Sequence, residues 1–358
     1  MNTKFFLKTA RLAPAILFLA FFSFLASCKK DIDATKTTDD SQNKSISQKF
    51  EDIHFGPFTK TIERKFPALA ITKDNFVIQI HQKKIPNYNP YIAYQIGTFD
   101  DNYQINWNGP DVTFDSGENP SIALNDKVAV EMHYNPGGEG GIHSELSYRI
   151  ADLSEDISNG IPFGFSQNLG AGVTPRISIN NSNVIVEVHK STTSNDLYYR
   201  VGIVNPNSGT VSWGKEMNYD KGTMPSIAIN NNNQVIEIHE TPFIGQLWYK
   251  IGQIIPDTKT ILWKTHLGVY YQRGSQPNVA LLDNGYVIEL HRSEGGDNSL
   301  WSMVGEINGN GSHILWHRQA EKFGNGNNPD IFVKDKNFIL GYGGEDYDGV
   351  SVSIGQIY

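Results

Sequence analysis

The chain of 358 residues holds a single cysteine, Cys28. One thiol closes no intrachain disulfide, forms no CxxC pair and builds no thiolate zinc centre. A surplus of positive charge is also missing: 30 Lys and Arg stand against 38 Asp and Glu, for a formal net charge of −8. Nucleic-acid binders carry a clustered basic face, so no nucleic-acid partner is expected. No window repeats apolar residues at helical spacing over three turns. The chain has no GxSxG elbow, no HExxH, no P-loop, and no GxGxxG set between a strand and a helix, which leaves no motif for a cofactor or a hydrolase triad. Asp346-Tyr347-Asp348-Gly349 is too short for a calcium loop. No cofactor and no metal are therefore expected.

What is present begins with an address. Lys4, Lys8 and Arg11 precede the apolar run from Leu12 to Ser27, the layout of a secretory leader and too short for a confident membrane span. The run ends Leu25-Ala26-Ser27-Cys28, which resembles the bacterial lipobox. That resemblance implies a signal peptide over 1–27 and a lipidated Cys28 as the first mature residue, with the membrane met through the lipid anchor only. Residues 1–27 take away three positive charges and no negative one, so the mature chain is more acidic still. Residues 28–49 are polar, mixed in charge and nearly free of large apolar side chains, as a flexible tether is. Lys29-Lys30-Asp31 is similar to the charged surface-export signals of some Bacteroidetes lipoproteins. The expected location is the bacterial cell envelope, on the periplasmic or surface face of the outer membrane.

Residues 50–358 repeat one unit six times. Segments such as PALAITKDNFVIQIH recur from Pro67, Pro120, Pro175, Pro225, Pro277 and Pro329, at steps of 50–55 residues. Each copy continues with an aromatic-rich segment ending near Gly97, Ala151, Gly202, Gly252, Gly305 or Gly355. An aromatic follows 12 to 14 residues before the next Pro: Trp107, Phe163, Trp213, Trp263 and Trp316. The segments are short, alternating, β-branched or aromatic, and bounded by Asn, Gly, Asp and Pro. Four antiparallel strands per copy predict an all-β, six-bladed β-propeller, with a core of positions such as Ile227, Ile229, Val235, Ile236 and Ile238. The last copy stops after its third strand, and Phe55 lies 12 residues ahead of Pro67. An N-terminal strand thus completes the final blade, as in WD-repeat propellers.

Chemistry is concentrated in a recurring pair. Glu131 and His133, Glu187 and His189, Glu237 and His239, and Glu289 and His291 each end a second strand, two residues apart; the first copy has Gln79 and His81, the sixth Gly341 and Gly343. That spacing puts both side chains on one strand face, about 7 Å apart along the backbone. Two roles fit. As a clamp, Glu accepts hydrogen bonds from turn amides and His fixes the carboxylate, since buried polar groups need partners. As a site, the pairs hydrogen-bond sugar hydroxyls while Tyr198, Trp248 and Trp301, with Tyr88 and Tyr91 in the first blade, supply stacking faces. Ring-placed His would meet at a metal only by pointing into the channel.

Trp213 to Asn230, Val235 to His239 and Leu247 to Gly252 resemble a propeller repeat of secreted bacterial proteins, found beside phospholipase-type or sugar-binding domains. The resemblance implies a scaffold. The expected function is a monomeric, non-catalytic binding module for glycans, acting through repeated pockets with avidity on polymers. The alternative is a carbohydrate-active enzyme, a polysaccharide lyase or hydrolase with one asymmetric cleft, and a third reading is a protein-interaction scaffold of the envelope. Asp-box repeats of the sialidase type, SxDxGxxW, are absent. Arg149, Arg200 and Lys250 hold equivalent third-strand positions, where Gln95, Met303 and Ser353 stand in the other copies. Asymmetry lies in the Asn135–Leu146 loop with His143, in Tyr270-Tyr271 with His266, and in His313 and His317.

Overall fold

The computed structural model describes residues 53–62, 64–83, 90–137, 144–317, 319–344 and 349–357. The leader, the tether, Cys28, Tyr88 and His143 lie outside the described residues. Within them there is no helix, and the strands form six sheets. The fold is a six-bladed propeller of antiparallel strands, as the repeat predicts.

The fourth blade shows the plan. Thr223–Ile229 is its inner strand, followed by Gln234–Glu240 and Gln246–Ile255. Its outer strand is broken into Thr260–Trp263 and Val269–Arg273, both paired with the third strand. The outer strands of blades 3 and 5 break in the same way, a feature that alternation alone did not reveal. Inner strands of successive blades pack side by side, and that of blade 6 packs on that of blade 1. The ring is closed by the N-terminal segment: Ile53–Phe55 and Thr59–Ile62 pair with Gly349–Ile357, with Phe55 opposite Gly355.

Alternation buries one face of each sheet against its neighbour. Ile236, Ile238, Tyr249 and Ile251 of blade 4 meet Val279, Leu281 and Val287 of blade 5 in one of six such clusters. Burying each of these side chains contributes about 1.5–3 kcal/mol. The Gly that closes the third-strand motif serves the same packing. Gly252 lies opposite Trp263, and a β-carbon there would stand 2.6 Å from Ile261 Cγ2 and 3.1 Å from Trp263 Cε3.

At one end of the channel, the inner-to-second turns lock blade to blade. Asn233, at φ 59°, closes the Asn230–Asn233 turn, a left-handed position that Asn tolerates. Its Oδ1 accepts from Asn180 Nδ2 of blade 3 at 2.8 Å. Asn125 Nδ2 repeats the bond to Asn183 Oδ1 at 2.9 Å. The second strands end at the opposite rim, where the chemistry lies.

Candidate functional site

Each Glu-x-His pair ends a central strand, so both side chains sink between blades; all eight are at most 2% exposed. His Nδ1 meets its Glu at 3.0 Å in blade 2, 2.7 Å in blade 3, 3.1 Å in blade 4 and 2.9 Å in blade 5. Against an ionised carboxylate Nδ1 is the donor, which leaves Nε2 as the only ring nitrogen open to another partner. The preceding blade adds a phenol in two cases: Tyr219 Oη donates to Glu237 at 2.7 Å and Tyr271 Oη to Glu289 at 2.9 Å. Burial, then the charge of Glu237 or Glu289, holds both phenols well above their usual range. For His239, burial lowers the proton affinity, but the charge and hydrogen bond of Glu237, helped by Asp220, raise it overall. His133 is raised in the same sense against its own burial by Glu131.

The imidazoles are also roofed. A turn glycine three residues before each repeat Pro rests on His Cδ2: Gly117 on His133, Gly172 on His189, Gly222 on His239 and Gly274 on His291. Across the strand, His189 faces Tyr198, His239 faces Trp248 and His291 faces Trp301. The rings of His189 and Tyr198 stack at 5.6 Å and 14°, while Trp248 packs edgewise on Tyr270. Tyr198, Trp248 and Trp301 are all half-buried.

Two blades depart from the scheme. In blade 6 a turn one residue shorter shifts the register, so Leu340 pairs with Ser353 and Tyr342 with Ser351. Leu340 and Tyr342, rather than Gly341 and Gly343, therefore take the Glu and His places, and Tyr342 lies against Gly326 as the His rings lie against theirs. In blade 1 the roofing glycine is replaced by Arg64. Its guanidinium donates to Gln79 at 3.1 Å, to Gln95 at 2.7 Å and to Asp111 at 2.5 Å, while His81 Nε2 meets Asp111 at 3.2 Å. Arg64 supplies the cation that Gln95 lacks, a substitution visible in the sequence only once the glycine column is aligned.

Third-strand cations pair with acidic side chains beside the Glu-x-His pairs of blades 2 to 4. Arg149 binds Asp115 at 2.7 Å, Arg200 binds Glu216 at 2.5 Å, and Lys250 binds Asp220 at 3.2 Å along with the Tyr219 and His266 carbonyls. Blade 5 has Met303 where blade 4 has Lys250, and Gln272 where blade 3 supplies Asp220. Where both charges are absent, a cleft of about 760 Å³ lies beside His291, lined by Trp301, Met303 and Trp316. Arg273 and Glu294, paired at 2.6 Å, stand at its rim. A carboxylate-oriented imidazole is a proton-transfer unit, and indole walls suit the apolar face of a sugar. Tyr270, His266, His313 and His317 are exposed elsewhere. Among the described residues no group of three or more His, Cys, Asp or Glu is placed to hold a metal.

No protein-family description matches the chain, and no curated protein matches it. Solved structures share its fold. It is similar to an alpha-L-arabinanase of Penicillium chrysogenum in complex with arabinobiose, at 10% identity and TM-score 0.56, over 86% of this chain and 99% of that one. A sialidase of Streptococcus pneumoniae aligns at 9% identity and TM-score 0.57, over 84% and 70%. A protein of unknown function from Dyadobacter fermentans aligns at 10% and 0.57, over 86% and 99%. At such identity the likeness shows the fold. The expectation of a non-catalytic binding module is corrected against these neighbours, two of which are named an arabinanase and a sialidase; they accord better with the carbohydrate-active enzyme held as the alternative.

Proposed function

We propose that the chain is a carbohydrate-active enzyme, a polysaccharide lyase or hydrolase, whose reaction centre is the cleft at blade 5. One observation carries this reading. Of the four Glu-x-His pairs, the one at Glu289 and His291 keeps its carboxylate, its phenol and its imidazole but lacks both charges that stand beside the pair in blade 4, and a cleft lies beside it. His291 transfers the proton at Nε2, held in place by Glu289; Trp301 and Trp316 carry the sugar face; Arg273 and Glu294 bind hydroxyls at the rim. The pairs of blades 2 to 4 act as clamps between blades. The names of the fold neighbours, arabinanase and sialidase, support a glycan substrate.

The test is a polysaccharide panel that includes arabinan, sialylated glycans and polyuronates, read by released reducing ends and by ultraviolet absorbance of an unsaturated product. Reducing ends alone mark a hydrolase; the unsaturated product marks a lyase. His291→Gln is expected to abolish turnover with the melting temperature within a few degrees of wild type. Silence on every substrate, or full turnover in His291→Gln, overturns the assignment.

We further propose export and anchoring through Cys28, which the lipobox-like Leu25-Ala26-Ser27-Cys28 supports. Metabolic labelling with a fatty-acid probe is expected to mark the wild type and to fail on Cys28→Ser. Equal labelling of both would remove the anchor.

A further inference from the structure

The central channel carries charged and polar groups that neither the clamps nor the blade 5 cleft employ. The residue after each repeat Pro sits on an inner strand; in blade 5 it is Asn278, which donates to Asp330 of blade 6, and in three other blades its side chain accepts a backbone N–H from the next blade. Ser121 Oγ accepts from Ile177 N at 3.1 Å, Ser226 Oγ from Val279 N at 3.3 Å, and Asp330 Oδ2 from Leu69 N at 2.8 Å. Blade 3 has Arg176 at this position, a cationic donor where Ser121, Ser226 and Asp330 accept. The joining bond to blade 4 is made instead by Ser178 Oγ, which accepts from Ile229 N at 3.1 Å. Arg176 is thus released from the work its position does elsewhere.

Its guanidinium makes one hydrogen bond to protein, from Nη1 to the neighbouring Pro175 carbonyl at 2.9 Å. A guanidinium has five N–H donors, so four of them make no hydrogen bond to protein. Asp330 attracts Arg176 electrostatically, but no hydrogen bond or ion pair joins them, and both Asp330 oxygens are taken, by Leu69 N and by Asn278 Nδ2 at 2.9 Å. Arg176 is also the one described residue that lines both the channel, a cavity of about 420 Å³, and the narrow mouth above it. In that mouth Asn328 is 4% exposed, and neither its Oδ1 nor its Nδ2 has a partner; Thr174 Oγ1 is likewise buried and unpartnered. Both residues are at positive φ, 49° and 51°, as is the residue before the repeat Pro in every blade, and five of these six residues line the mouth.

We propose that the channel mouth is a binding site for a small oxyanion, a carboxylate or phosphate group held by Arg176, with Asn328 and Thr174 hydrogen-bonding the atoms beside it. An anion supplies the acceptors that the guanidinium lacks, and a planar carboxylate matches its fork in a bidentate pair. A donor on the neighbouring carbon of a hydroxy acid satisfies Asn328 Oδ1, and its oxygen satisfies Asn328 Nδ2 or Thr174. This site is separate from the blade 5 cleft and stands whether or not that cleft is catalytic.

The experiment is thermal unfolding and titration calorimetry of the full chain with sodium acetate, sodium glucuronate and sodium phosphate, each against sodium chloride at matched ionic strength. A ligand that binds only the native state raises the melting temperature with its concentration. The expected result is a saturable rise with at least one of the three that chloride does not reproduce, lost in Arg176→Gln and retained in His291→Gln. A carboxylate response without a phosphate response identifies an organic acid as the source, and the reverse identifies inorganic phosphate. If Arg176→Gln does not fold, Arg176→Lys keeps the charge without the fork and is expected to bind the carboxylate about tenfold more weakly. No response beyond chloride, or an unchanged response in the Arg176 variants, overturns the site.

Discussion

Gly222 rests directly on the imidazole of His239: a β-carbon at Gly222 would stand 2.6 Å from His239 Cδ2 and 2.9 Å from the Glu240 carbonyl oxygen. The glycine lets the turn entering blade 4 lie flat on the pair that ends its second strand. Gly222→Ala is expected to destabilise the fold by about 2 kcal/mol, because overpacking a closed core displaces backbone as well as side chain. Gly309→Ala, where no atom lies within 4 Å of the added carbon, is expected to stay within about 0.5 kcal/mol of wild type. Chemical denaturation of both variants checks this; equal stabilities would show that the turn yields freely.

The same pair sets a pH dependence. The folded His239 binds its proton more tightly than the unfolded value of 6.5 because Glu237 and Asp220 outweigh its burial. A histidine raised in this way contributes stability that is fully present below pH 6.5 and is lost as the pH rises through its folded value. Glu237→Gln removes the main source of the shift. The stability gap between wild type and Glu237→Gln is therefore expected to be widest below pH 6.5 and to narrow above it. A gap that widens with pH would mean that the imidazole is held neutral.

The fold was legible because a propeller repeats its local rules: the Pro, the closing Gly and the alternating apolar positions state one blade six times. Phe55 at its spacing from Pro67 even located the strand that closes the ring. The site was less legible because its residues are defined by neighbours in other blades. Tyr271 reaches Glu289 from blade 4, and no spacing within a repeat encodes that contact. The one-residue register shift that brings Tyr342 rather than Gly343 to the His place arises from a shorter turn, which counting from Pro329 misses. Met303 was visible as a departure from Arg149, Arg200 and Lys250, but only the packing shows that a cleft lies beside it.

Blade 1 tests whether the clamp is a transferable unit. Arg64 satisfies Gln79, Gln95 and Asp111 together, and burial lowers its proton affinity while Asp111 opposes this. Arg64→Met leaves Asp111 only the longer pairing with a cation, Lys83 at 3.8 Å, and is expected to cost about 3 kcal/mol, the order found when one partner of a buried pair is removed. Rebuilding the pattern of blades 2 and 3, with Arg64→Gly, Gln79→Glu and Gln95→Arg together, is expected to restore most of that loss. Urea midpoints of wild type, single and triple variants decide it, and a triple variant no better than the single one would mean that blade 1 is not built on the common clamp.

Blade 5 is the converse case, and it separates stability from activity. Met303→Lys with Gln272→Asp recreates in blade 5 the ion pair that Lys250 and Asp220 form in blade 4. The new lysine lies in register with Glu289, as Lys250 does with Glu237, so its charge has a buried carboxylate and a facing aspartate to meet. The double variant is expected to melt no lower than wild type, because each buried charge enters with a partner and only an unpaired one carries the large penalty. Its cleft is filled at the wall beside His291, so glycan turnover is expected to fall at least tenfold through a loss of kcat/KM. Met303→Leu, which keeps the cleft apolar and nearly conserves volume, is the control and is expected to retain most of the turnover. Activity that survives in the double variant would place the reaction centre outside blade 5, whatever the stability.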